Sequence, residues 1–188
     1  MTRRRFAAPL ALFAAAAFVS LAANARSAPV TVGDPAPTAT LDDLNGDSID
    51  LAAEFAGGKT VLVFLRGYPG YQCPACGAQA ADFAAKAADF AAAGLRVVLV
   101  YPGEAAGLPT YADAFTDRFV KTELPAPIKM VLDPDYTLTN AYGIRWDAPR
   151  ETAYPSTFVV DGGRITWAKI SRTHGGRVKA SDALAAAR

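Results

Sequence analysis

The chain holds two cysteines, three residues apart, as Cys73-Pro74-Ala75-Cys76. Two thiols at that spacing can cycle between dithiol and disulfide. The thiolate is the reactive form, and the first turn of a helix favours negative charge, so where the pair sits relative to a helix start decides its reactivity. Pro74 suits the first helical position, where its missing N–H costs nothing. Cys73 is then the N-cap, exposed at the positive end of the helix dipole, and Cys76 lies one turn in. On this reading Cys73 attacks a disulfide or a peroxide, and Cys76 resolves the mixed disulfide or sulfenic acid that forms.

Other uses of the pair fit less well. A structural zinc ion needs about four N or S ligands, and the chain offers two Cys and one His, His174. A purely structural bridge across so small a loop would restrain the unfolded chain little.

The elements that must position the dithiol can be read around it. Residues 60–65 (TVLVFL) have the continuous apolar look of a central strand buried on both faces. Residues 66–72 form a loop, and residues 74–93 a helix whose core stripe is Phe83, Ala87 and Phe90, with Gly94 as its stop. Residues 95–101 are a second buried strand, so strand, helix and strand make a right-handed parallel unit. Before it come a proline-rich lead-in (29–37) and strands at 38–41 and 48–51 around Asn45-Gly46, a two-residue hairpin signal. After it come a helix over 111–120, a strand at 128–132, a short helical turn to 142, an irregular stretch at 146–154, a hairpin (157–160 and 164–170), and a last helix capped by Ser181. The fold class is α/β, in one domain over residues 26–188.

Residues 1–25 read as a cleaved secretory signal. Arg3, Arg4 and Arg5 precede an uncharged apolar run at 6–21, and Ala23-Asn24-Ala25 supplies the small residues of a cleavage site. Thr2-Arg3-Arg4-Arg5-Phe6 also fits a twin-arginine pattern, leaving the export route open. The run is short and alanine-diluted for a membrane span of about 20 residues, so no stable membrane anchor is expected after cleavage, and a periplasmic or secreted location follows. The whole chain has 19 basic and 18 acidic residues; without residues 1–25 it has 16 and 18, a formal charge of −2. Nothing in that balance marks a nucleic-acid partner.

Two stretches resemble a known family. Val61-Leu62-Val63-Phe64-Leu65-Arg66-Gly67, then Cys73-Pro74-Ala75-Cys76 with Gln79 after it, is similar to the peroxiredoxin-like redoxins of the alkyl hydroperoxide reductase/thiol-specific antioxidant (AhpC/TSA) group, as is Pro155-Ser156-Thr157-Phe158-Val159-Val160-Asp161 followed by Gly163-Arg164-Ile165. The resemblance implies a thioredoxin-like fold, with a central mixed β-sheet, helices on both faces and an N-terminal β-hairpin extension. It implies a thiol-dependent reductase of hydroperoxides served by a thiol–disulfide electron donor, with no cofactor and no metal. In that superfamily a cis proline before the late strand, here Pro155, packs against the dithiol and bares backbone for substrate.

The chain also departs from the family. The family's P-x-x-x-T-x-x-C pattern falls on residues 69–76 with Cys73 in the Thr place, which would make Cys76 the attacking thiol. The usual arginine before the late strand is replaced by Pro155. Arg66, at the end of the central strand, is the best substitute as thiolate stabiliser, and Tyr68 and Tyr71 could line the rim for docking partners. Protein disulfide exchange without peroxidase activity is the competing reading. A non-enzymatic copper chaperone is a third, in which both thiols and His174 would hold Cu(I).

Overall fold

The computed structural model describes residues 28–68 and 71–188. The expected signal segment lies outside the described residues, as does Pro69. Among the described residues, no helix is long and apolar enough to cross a membrane.

A five-stranded mixed sheet forms the centre. In chain order its strands are β3 (Thr60–Phe64), β4 (Arg96–Gly103), β5 (Ile128–Pro134), β6 (Ser156–Asp161) and β7 (Arg164–Ile170), arranged β5-β4-β3-β6-β7. The β3–β4 and β4–β5 pairs are parallel, and β3–β6 and β6–β7 antiparallel. β3 is buried at every position because strands flank it on both sides and helices cover both faces. A separate small sheet pairs β1 (Thr40–Asp42) with β2 (Ser48–Asp50) and leans on β5 through an Asp43–Val131 bridge. The lead-in closes the opposite edge: Gly33 N–H donates to Ile165 O, and Ala36 N–H to Gly163 O. The expected α/β architecture and N-terminal hairpin are thus present.

One face carries α2 (Pro74–Ala85), α3 (Ala87–Ala92), α4 (Leu108–Phe119) and α6 (Ala180–Ala187); the other carries α1 (Leu51–Ala56) and α5 (Thr137–Ala141). Several expectations need correction. The single helix over 74–93 is two, broken at Lys86 (φ −106°, ψ 16°). Residues seven apart on one straight helix stand about 10 Å apart along its axis, whereas the buried Phe83 and Phe90 rings stack at 5.4 Å, nearly parallel at 8°. The break is what lets them meet. The hairpin loop spans five residues, 43–47, not two, because Asp43 Oδ1 accepts from the backbone N–H groups of Asn45 (2.8 Å) and Asp47 (3.0 Å). Ser181 does not cap α6: the helix starts one residue earlier, and Asp82 Oδ2 on α2 takes the Ala180 N–H at 2.7 Å. Helix α1 was not expected at all; Asp50 caps it through the Ala52 N–H.

Candidate active site

β3 ends at Phe64 and α2 begins at Pro74, so the loop between them delivers the dithiol to the C-terminal edge of the sheet. Cys73 is the N-cap in extended conformation (φ −64°, ψ 114°), with Pro74 at the first helical position, as the sequence implies. Two anchors hold the loop. At Gly67 a β-carbon would stand 2.1 Å from Pro102 O and 2.8 Å from the Tyr101 ring, so only glycine fits against β4. Gln72 donates to Tyr111 O on α4 (2.9 Å) and accepts from the Tyr101 hydroxyl (3.1 Å).

The expected exposure of Cys73 is not found. Its relative exposure is 3%, and Cys76 is fully buried; both belong to the core under α2 with Val63, Leu65 and Phe83. The three-residue helix His174–Gly176 packs against α2. Both cysteines are free thiols.

Their electrostatics differ sharply. The Cys76 side chain donates a hydrogen bond to Cys73, the largest of the causes that lower the Cys73 pKa to about 5. Burial opposes the shift, and the Cys76 backbone N–H, the Arg177 guanidinium and His174 reinforce it. Cys76 is pushed well above the usual thiol range, first by burial and then by that same hydrogen bond. One sulfur is thus a thiolate at neutral pH while its neighbour keeps its proton.

Arg177 is the residue sequence reasoning missed. Its Nη1 donates to Gln79 Oε1 (2.9 Å) and to Phe64 O (3.3 Å), and Gln79 in turn donates to Val178 O (2.9 Å). Gln79 is buried on α2 and so fixes the guanidinium that acts on both sulfurs. Nothing in the local sequence marks Arg177, which lies 98 residues from Gln79; the only pointer was Gln79 itself, a polar side chain three positions after Cys76 on the core face.

The guanidinium of Arg66 has a different use from the one expected. It is buried, donates to Arg150 O, and pairs with Glu151 Oε2 at 3.1 Å. The Tyr68 and Tyr71 rings flank it at 5.6 and 5.3 Å. Its backbone N–H acts on Cys76. Tyr71, half-exposed at 51%, stands on the loop just before Cys73. Pro155 also departs from expectation: among the described residues the cis X–Pro bond is Ala126–Pro127, not Tyr154–Pro155. Pro155 is buried, and its carbonyl already accepts the Ser171 N–H at 2.8 Å.

His174 is held rather than loose. Its Nε2 lies 3.0 Å from Glu151 Oε1, and its ring stacks on Trp146 at 5.0 Å, which stacks on Tyr154 at 4.8 Å. The irregular stretch at 146–154 is pinned from below by Arg145 Nη1, which donates to the carbonyls of Trp146, Glu151 and Thr152. Among the described residues no three His, Cys, Asp or Glu side chains cluster so as to hold a metal ion.

A thiolate at a helix start, with a protonated thiol one turn on and a mixed sheet behind them, defines a thiol-dependent oxidoreductase of thioredoxin-like fold. Comparison with known proteins narrows the class. Residues 32–168 match the AhpC/TSA family, and the chain is 31% identical over 148 residues to a Mycobacterium tuberculosis (strain H37Rv) protein named "Putative peroxiredoxin Rv2521", covering 76% of this chain and 86% of that one. Among solved structures, reduced Prx3 from Vibrio vulnificus superposes with a TM-score of 0.68 at 23% identity, over 84% of this chain and 97% of that one. Mycobacterium tuberculosis AhpC gives 0.64 at 19%, over 84% and 91%. The chain belongs to the AhpC/TSA family and is a peroxiredoxin-like, thiol-dependent oxidoreductase.

Proposed function

We propose that the protein is an exported peroxidase that reduces hydroperoxides through a Cys73/Cys76 dithiol–disulfide cycle. The Cys73 thiolate attacks the terminal peroxide oxygen; the S–O bond forms, the O–O bond breaks, and the leaving oxygen takes a proton, giving Cys73 sulfenic acid and an alcohol or water. The Cys76 sulfur then displaces water from the sulfenic acid to form the disulfide. A dithiol donor returns both thiols by exchange. The yeast mitochondrial 1-Cys peroxiredoxin, a structural neighbour at 16% identity, is described as resolved by glutathione and thioredoxin systems; a reductant of that kind suits this disulfide.

The observation that carries the reading is the thiolate at Cys73 beside a Cys76 that keeps its proton. It also favours Cys73 over Cys76 as attacking thiol, although the family spacing points to Cys76. Burial supports peroxide over protein disulfide as oxidant. A sulfur 3% exposed can be reached by a small hydroperoxide more readily than by a disulfide embedded in another protein. Export rests on residues 1–25 alone.

The test is the rate at which hydrogen peroxide oxidises the reduced mature protein, alongside Cys73→Ser and Cys76→Ser. The expected result is oxidation far faster than that of free cysteine, abolished in Cys73→Ser. In Cys76→Ser a sulfenic acid should accumulate at Cys73. A wild-type rate no better than free cysteine would move the assignment to disulfide exchange. For export, N-terminal sequencing of protein recovered outside the cytoplasm should begin at Arg26; an intact Met1 would overturn it.

A further inference from the structure

The cycle proposed above needs a proton at one moment and leaves its source unassigned. Peroxide cleavage expels a strongly basic hydroxide or alkoxide, and a positioned acid at the leaving oxygen lowers that barrier by about 10²–10⁴-fold. Cys76 directs its proton at the Cys73 sulfur and acts next as the resolving nucleophile. Arg177 and Arg66 do not give up protons at neutral pH.

Of the two side chains outside the dithiol whose charge acts on Cys73, Arg177 and His174, only His174 can. Its charge acts on Cys73, and with Ala75, Gln79 and Arg177 it lines an open groove of about 490 Å³ along the start of α2. The ring is fixed on both sides. Glu151 Oε1 holds Nε2 at 3.0 Å, Arg66 holds the other carboxylate oxygen at 3.1 Å, and the Trp146 ring fixes the plane. A carboxylate at one imidazole nitrogen places N–H there and leaves the other nitrogen to exchange a proton. That other nitrogen, Nδ1, is buried and has no hydrogen-bond partner among the described residues.

We infer that His174 is the general acid of peroxide reduction, donating its Nδ1 proton to the departing oxygen, and that Glu151 and Arg66 are its positioning residues. In this step the Cys73 thiolate supplies the electron pair and is oxidised to the sulfenic acid. The peroxide is reduced, and the expelled oxygen leaves as water or alcohol bearing the Nδ1 proton. Neutral His174 takes a proton back from water before the next turnover. The assignment rests on the peroxidase reading and adds to it a role for the single histidine.

The test uses oxidants that differ in their need for an acid. Hydrogen peroxide and tert-butyl hydroperoxide expel strong bases, whereas peracetic acid expels acetate, which needs no proton to leave. The rate of Cys73 oxidation is measured with each, in wild type and in His174→Gln. The variant should slow about 100-fold with the first two oxidants and stay near the wild-type rate with peracetic acid. Glu151→Gln, which keeps an acceptor at Oε1, should show a smaller loss with the same selectivity, and it carries the test if His174→Gln does not fold. Equal slowing with all three oxidants, or with none, would overturn the assignment while leaving the peroxidase standing. A slow wild type would remove both.

Discussion

Alternate residues of β3 and β4 divide between two cores that share one sheet. Val61 and Val63, with Val97, Leu99 and Tyr101 and with Leu65 just past the end of β3, face α2, α3, α4 and α6 and enclose both cysteines. Leu62, Phe64, Val98 and Val100 face α1 and α5. That second core closes on three rings, with Phe158 4.9 Å from Tyr142 and 6.0 Å from Phe64. The first core is apolar too, but its rim carries the polar groups that set the chemistry: Gln72, Gln79, Arg177 and the Tyr101 hydroxyl. The division follows from the two-residue period of strands, and it means that stability and reactivity can be altered separately.

The largest effect should come from the cysteine side. In Cys76→Ala the hydrogen-bond donor that most lowers the Cys73 pKa is gone, so the midpoint of Cys73 alkylation against pH should rise from about 5 toward the ordinary thiol value of about 8.5. An unchanged midpoint would show that Arg177, His174 and the helix start suffice without the neighbour. The same pair ties stability to pH in the reduced protein. Cys73 has a depressed pKa when folded, so between about 5 and the ordinary thiol range the unfolded chain binds more protons there, and stability rises with pH; the gain is lost as pH falls through about 5. Cys76, whose pKa is raised, has the opposite effect above the ordinary thiol range, where the unfolded chain loses a proton that the folded one keeps. Denaturant melts of reduced protein should therefore gain stability from pH 5 upward and stop gaining near pH 9, and the oxidised protein should lack this component.

On the far face the expected change is in stability alone. Phe158→Ala removes a fully buried ring and should cost about 3–5 kcal/mol in urea unfolding, with the Cys73 midpoint still near 5. A shift in that midpoint would mean that the two cores are coupled through β3.

What could be read in the sequence, and what could not, divides along similar lines. The dithiol, its place at a helix start and the buried strands around it are local patterns of two to twenty residues, and the chain shows them directly. Arg177 reaches both sulfurs and His174 reaches Cys73 from segments far along the chain, through a loop with no periodicity to read. The break at Lys86 was hidden because Ala-Ala-Lys-Ala-Ala holds neither glycine nor proline; the Phe83–Phe90 ring stack that accompanies it is visible only in the tertiary packing. Pro155 misled for a related reason. Family likeness located the strand after it, but the partner of its carbonyl is the Ser171 N–H, across the β6–β7 pair.

A smaller effect should follow from tightening the cysteine side. Gly77 lies one residue beyond Cys76, and a β-carbon there would stand 2.2 Å from the Phe119 ring. Gly77→Ala should cost about 1–3 kcal/mol by overpacking α2 against α4, despite the better helix propensity of alanine. Stabilisation on thermal melting would show that Phe119, near the end of α4, swings aside freely.

The finest comparison uses two buried tyrosines, one on each face. Tyr101 donates to Gln72 Oε1 at 3.1 Å and so helps hold the loop that ends at Cys73. Burial, its first cause, raises its pKa to about 12, so the hydroxyl remains a donor across the working range. The Tyr142 hydroxyl, in the second core, is buried with no hydrogen-bond partner among the described residues. Removing a satisfied buried hydroxyl strands its partner, whereas removing an unsatisfied one relieves a desolvation cost. Tyr101→Phe should therefore lose about 1 kcal/mol and speed Cys73 alkylation by loosening the loop, while Tyr142→Phe should gain about 1 kcal/mol and leave alkylation alone. If both variants were destabilised equally with alkylation unchanged, Gln72 would not anchor the loop through Tyr101, and its bond to Tyr111 O would have to hold Cys73 in place by itself.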